Sequence, residues 1–99
     1  MTAHERTIET YSLKWHDYTI TITFERHWLG QETRAVIGDL AHITLTESER
    51  RPLPITETGF RSIFVAPGEV NAAGGPVAFV REGLDDAARS EGWRAREAA

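Results

Sequence analysis

Four histidines, His4, His16, His27 and His42, are the side chains in this sequence best suited to hold a metal or move a proton, and they are scattered. No two stand in an HxH or HExxH spacing, the patterns that aim two imidazoles at one ion. Glu25 with His27 and Asp39 with His42 are near neighbours, yet two donor pairs on separate segments fall short of a ligand set. The chain has no cysteine, so thiolate ligands, a thiol nucleophile and disulfides are excluded. We expect no metal and no cofactor.

The four serines, Ser12, Ser48, Ser62 and Ser90, lie outside any GxSxG context. Gly74-Gly75-Pro76 would present backbone N–H groups at a helix start, but lacks the Lys and Ser/Thr of a phosphate loop and has Glu69 nearby. Glu82, Asp85 and Asp86 sit in an amphipathic segment where acids form a solvated face, and general acid–base work needs a concave, partly dry pocket. No residue is assigned a catalytic role, and the expectation is a protein that is not an enzyme.

Partner binding retains the best residues. On a helical wheel Phe79 and Trp93 fall about 200° and 160° from Val77, opposite the apolar stripe, with Glu82, Asp86 and Arg89 around them. Large aromatics rimmed by charge are the usual form of an interface anchor. A second candidate is the loop Pro54 to Ser62, whose Glu57 and Arg61 flank a flexible Gly59.

The elements that must carry these residues read as follows. Residues 8 to 25 alternate apolar and polar on both sides of His16-Asp17. As a hairpin with that two-residue loop, they pair Trp15 with Tyr18, Leu13 with Ile20 and Tyr11 with Ile22 on one face. Lys14 with Thr19, Ser12 with Thr21 and Thr10 with Thr23 fall on the other. A polar connection over Gln31 to Arg34 leads to a third strand around Leu40 to Thr46, with Ala41, Ile43 and Leu45 facing the core and His42, Thr44 and Thr46 extending the hydroxyl face. The charged, proline-bearing segment Glu47 to Pro54 reads as surface loop, Phe60 to Val65 as a fourth strand, and Ala66-Pro67-Gly68 as a turn. Pro76 then opens a helix whose stripe is Val77, Val80, Leu84, Ala87 and Ala88, with Asp85 and Arg89 as an i,i+4 pair.

The expected fold is α+β: two layers, an antiparallel sheet of three to four strands with one C-terminal amphipathic helix on one face. A single domain covers 1–99, with a flexible N-terminus over 1–7, the sheet over 8–65, the helix over 76–91 and a tail over 92–99. No apolar run marks a leader or a membrane span, and the expected address is the cytoplasm.

The formal net charge is −4, and ten of the eleven basic residues are arginine, spread without a stripe. Direct nucleic-acid binding is disfavoured twice: basic clustering is missing from the linear sequence, and Tyr11, Trp15 and Tyr18 are sent to the apolar side of the sheet rather than to the hydroxyl face.

Pro52 to Phe64, followed by Ala73 to Val80, resembles a group of short bacterial proteins found on chromosomes, plasmids and other mobile elements; the likeness extends loosely to the hairpin ending near Trp28-Leu29-Gly30. It implies a mobile-element setting and no activity. In size and charge the chain is similar to anti-CRISPR proteins. The implied function is a small interaction protein that inhibits a bacterial defence complex by occluding a protein or ribonucleoprotein with a basic surface. Phe79 and Trp93 would anchor that contact, and Glu82, Asp85, Asp86, Glu47, Glu49, Glu57 and Arg61 would surround it. A second copy of the chain is a further partner this pattern admits. The alternatives are a plasmid- or phage-accessory module for single-stranded nucleic acid and a small hydrolase or isomerase.

Overall fold

The computed structural model describes residues 7–90 and 92–94; residues 1–6, 91 and 95–99, with them His4, Arg96 and the outer ends of the expected N-terminal and tail segments, lie outside the described residues. Four antiparallel strands, β1 (Glu9–Trp15), β2 (Tyr18–Glu25), β3 (Ala41–Glu47) and β4 (Phe60–Val65), form one sheet in sequence order. Three helices accompany them: α1 (Gln31–Ile37), α2 (Pro67–Ala73) and α3 (Pro76–Ala87). The fold is α+β with α3 packed on one side of the sheet, against β1 and β2.

Alternation dictates the register. Leu13 pairs with Ile20 and Trp15 with Tyr18 across the hairpin, as expected from the sequence, and Phe24 pairs with Ile43 and Ile43 with Ile63 across the next two junctions. His16 turns the chain with φ 53. These apolar side chains line the face under the helices, where Leu13, Ile20, Ile22, Phe24, Ile43 and Leu45 are buried with Val70 of α2 and Val80 and Leu84 of α3. Each such side chain removed from water contributes about 1.5–3 kcal/mol, which holds the helical layer down.

The opposite face carries rows of hydroxyls that run across all four strands. One row is Thr10, Thr23, Thr44 and Ser62; the next is Ser12, Thr21 and Thr46, and ends at Phe60. Thr23 and Thr44 hydrogen-bond each other through their hydroxyls.

Two connections depart from expectation. The polar link after Gly30 includes α1, a two-turn excursion with no buried residue, closed at its neck by the Trp28 N–H donating to the Leu40 carbonyl at 2.9 Å and by His27 Nδ1 at 2.6 Å from Asp39 Oδ2. The Ala66-Pro67-Gly68 turn is the start of α2, with Pro67 in its first turn and Val70 buried. Gly74 (φ 106) ends α2 and Gly75 (φ 113) caps α3, consecutive left-handed positions that only glycine occupies without strain. One helix was expected; among the described residues α1 and α2 stand beside it. The expected helix over 76–91 closes earlier, at Ala87, and residues 92–94 form a separate helical turn.

Glu47 corrects the reading of the central segment as surface loop. It is the last residue of β3, continues the inward series of Ala41, Ile43 and Leu45, and is fully buried. Its carboxylate accepts hydrogen bonds from the Arg51 guanidinium (3.0 Å), the backbone N–H groups of Arg51 (2.6 Å) and Glu49 (3.1 Å), and the Ser48 hydroxyl (3.2 Å). A buried anion so fully satisfied stays ionised. The Arg51 bond above all, with the two backbone donors and against the opposing cost of desolvation, lowers its pKa from 4.5 to about 2.

Because the folded value lies below the unfolded one, the stabilisation from Glu47 is complete above about pH 4.5 and is lost as pH falls toward about 2. Urea denaturation followed by circular dichroism between pH 7 and pH 2 will show this loss, and Glu47→Gln will remove that component of the pH dependence. Glu47→Ala, which leaves the backbone N–H groups of Glu49 and Arg51 without their acceptor, will cost about 1–3 kcal/mol at neutral pH.

Candidate functional site

The loop clamped by Glu47 builds one wall of a trough. Leu53 and Thr56 exchange both backbone hydrogen bonds (2.8 and 3.0 Å), closing Pro54-Ile55 into a tight turn with Leu53 buried beneath it. Arg61 Nη1 donates to the Ile55 carbonyl at 3.0 Å and ties that turn to β4. The facing wall is α3. Between them lies an open trough of about 620 Å³ whose lining includes Ile55, Ile63, Phe79, Arg61, Glu82 and Asp86. A second depression of about 540 Å³ adjoins it across Pro54, Ile55 and Arg61 and reaches Glu57 and Trp93.

Most residues singled out from the sequence therefore meet here, in roles that differ from one to the next. Phe79 is half-buried and packs against the core while lining the trough, so only part of its surface is open to a visitor. Glu82 is exposed on the lip, and among the described residues it forms no ion pair. Asp86 is exposed and bridges to Arg89, one turn away; the expected Asp85–Arg89 pair is replaced by this i,i+3 pair. Asp85 is drawn the other way and accepts a hydrogen bond from the Trp15 indole N–H at 2.8 Å, which ties α3 to β1. Arg61 and Glu57 stand on the loop side.

Trp93 is not a surface anchor. It is 5% exposed, with ring centroids 6.3 Å from both Trp15 and Tyr18, in an aromatic cluster that the Arg51 guanidinium covers at 4.5 Å from the Tyr18 ring. The wheel that set Trp93 outward assumes one continuous helix; α3 ends at Ala87, and the chain then turns Trp93 back onto the domain. Glu47, buried, also leaves the set of acids able to meet a partner.

Sequence reasoning missed a second assembly, on the open face of the sheet. Phe60 and Phe64 of β4 project there at 40% and 50% exposure, and Trp28, 37% exposed, lies edge-on to Phe64 at 4.7 Å. His42 stacks on Phe64 at 4.5 Å and lies 2.6 Å from the Ser62 hydroxyl. Arg50 lies 5.8 Å over the Phe60 ring and donates from Nε to the Thr58 carbonyl at 3.2 Å. The signal was present in the period of two: if Ile63 and Val65 face the core, Phe60, Ser62 and Phe64 must face away. Among the described residues no group of three or more His, Asp or Glu stands close enough to hold a metal ion. His42 and Ser62 have the contact of a base and a hydroxyl nucleophile, but they lie on a sheet surface rather than in a cleft.

The model of the KlcB third domain matches residues 8–93, a span that takes in the four strands, α1 to α3 and Trp93. The chain belongs to the KlcB third-domain family. The match encloses the buried core residues of the described structure, from Leu13 to Trp93. No curated protein and no solved structure matches the chain. No helix among the described residues is long and apolar enough to cross a membrane.

Trp93→Ala will destabilise the domain by about 3–5 kcal/mol in urea denaturation, as expected of a core aromatic, whereas Glu57→Ala will change stability by no more than about 0.5 kcal/mol. Gly59→Ala will also destabilise, by about 1–3 kcal/mol in the same measurement: φ is +73, and an added Cβ would lie 2.6 Å from the Arg50 backbone.

Proposed function

We propose that this KlcB third domain is a non-enzymatic interaction module that receives a protein segment bearing apolar and basic side chains in the trough between α3 and the Pro54-Ile55 turn. The observation that carries the reading is the composition of that trough: an apolar floor of Ile55, Ile63 and Phe79 beneath a lip on which Glu82 and Asp86 oppose the single Arg61. Its openness along the surface suits an extended chain better than a small molecule, which binding sites usually enclose on most sides. Apolar contacts would supply the affinity, and the acidic lip would set the orientation and favour Arg or Lys in the partner.

Membership of a plasmid-associated family supports a partner encountered in that setting. In its narrower form the proposal is that the acidic lip occludes the basic surface of a bacterial defence complex; this form is supported by the size and charge of the chain.

The test is a peptide array with systematic Arg/Lys and apolar patterning, followed by calorimetric titration of the best binders. Basic-apolar peptides will bind, and Phe79→Ala or the pair Glu82→Lys/Asp86→Lys will weaken them about tenfold or more, a loss of about 1.4 kcal/mol. Unaltered affinity in both variants, with melting curves showing them folded, would remove the trough from the function.

A further inference from the structure

We propose that the open face of the sheet is a platform for single-stranded nucleic acid, a site separate from the trough and on the opposite side of the sheet. The chemistry that such a strand requires is π surface for its bases, hydrogen-bonding groups for base edges and sugars, and cations for its phosphates. All three are present. Phe60, Phe64 and Trp28 leave between 37% and 50% of their surface exposed. Phe60 and Phe64 are four residues apart on one side of β4, a separation of about 13 Å along a strand, so bases can stack at two points with room for backbone between them. The hydroxyl rows cover the surface that the strand would cross.

Charge complementarity selects this occupant over a basic peptide. Two cations stand at this face: Lys14, exposed at its strand position, and Arg50, held over Phe60. Glu25 is the one carboxylate at a strand position on this side, and it is buried. The acids of the lip, Glu82 and Asp86, stand on the helical layer behind the sheet. A duplex fits less well, because its bases are already stacked on each other and a flat sheet offers no helix or ribbon to enter a groove.

Fluorescence anisotropy tests the proposal with labelled single strands of about 15 nucleotides, one DNA and one RNA, and the duplex of the same sequence, at about 50 mM salt and above. At least one single strand will bind in preference to the duplex. Each of Phe60→Ala and Phe64→Ala will lower its affinity about five- to a hundredfold, the range expected for loss of one stacked base. Two phosphate contacts, from Lys14 and Arg50, give a slope of log affinity on log salt near −1.4, which Lys14→Glu/Arg50→Glu will abolish. Arg81→Glu, a single charge reversal on α3, will bind as wild type. Circular dichroism melts establish that each variant is folded. No anisotropy change at low salt, equal binding of the duplex, or undiminished binding by both phenylalanine variants would overturn the proposal. So would sedimentation showing the wild type as a dimer that Phe64→Ala dissociates, because the face would then be occupied by a second copy.

Discussion

A single buried carboxylate governs how this domain presents itself. Glu47 ends the third strand inside the core, and its two oxygens gather four donors from the residues that follow it. A carboxylate in that position cannot be left unpaired, so the chain after β3 must wrap back to satisfy it. Arg51 is thereby placed over Tyr18, and Arg50 takes a left-handed φ of 59 against Gly59, which brings its guanidinium over Phe60. The same segment continues into the Pro54-Ile55 turn that walls the trough. Both the trough wall and the position of Arg50 over Phe60 thus depend on one anion and on the absence of a side chain at Gly59.

The sheet separates those two surfaces and gives each its own character. Period-two alternation sends aliphatic residues to the helical layer and hydroxyls to solvent, and only at β4 do large apolar residues occupy both sides. The Trp15–Asp85 bond spends an acid on internal attachment, whereas Glu82 lies one helical turn away on the lip. Three acids that look equivalent along the sequence therefore differ in use: Asp85 fastens the layers, Asp86 pairs with Arg89, and Glu82 faces the trough.

Legibility in the sequence followed the strength of local pattern. The hairpin register, the inward residues of β3, the extent of β4 and the start of α3 at Pro76 could be read because alternation or a proline specifies each one. α1 escaped because it buries nothing and so has no apolar periodicity to detect; α2 escaped because Pro-Gly reads equally as a turn or as a first helical turn. Glu47 was misplaced by charge, although its position in the inward series and its spacing to Arg51 both pointed to burial. Phe60 and Phe64 were harder to place because β4 carries large apolar residues on both sides, so its alternation does not mark which side is open. Trp93 required tertiary information: where α3 stops decides which way the next turn faces.

The order of the strands has a consequence for when each surface comes into being. Every strand pairs with its neighbour in sequence, so the four-stranded sheet closes without a crossover, and the loop-closure entropy of its longer connections grows only slowly with their length. The aromatic face is complete once that meander has formed. The trough also needs the last segment of the chain, α3, docked over residues far back in the sequence. Local opening of the helical layer would therefore dissolve the trough while leaving the sheet's other side in place, and the two surfaces belong to units of different persistence within one small fold.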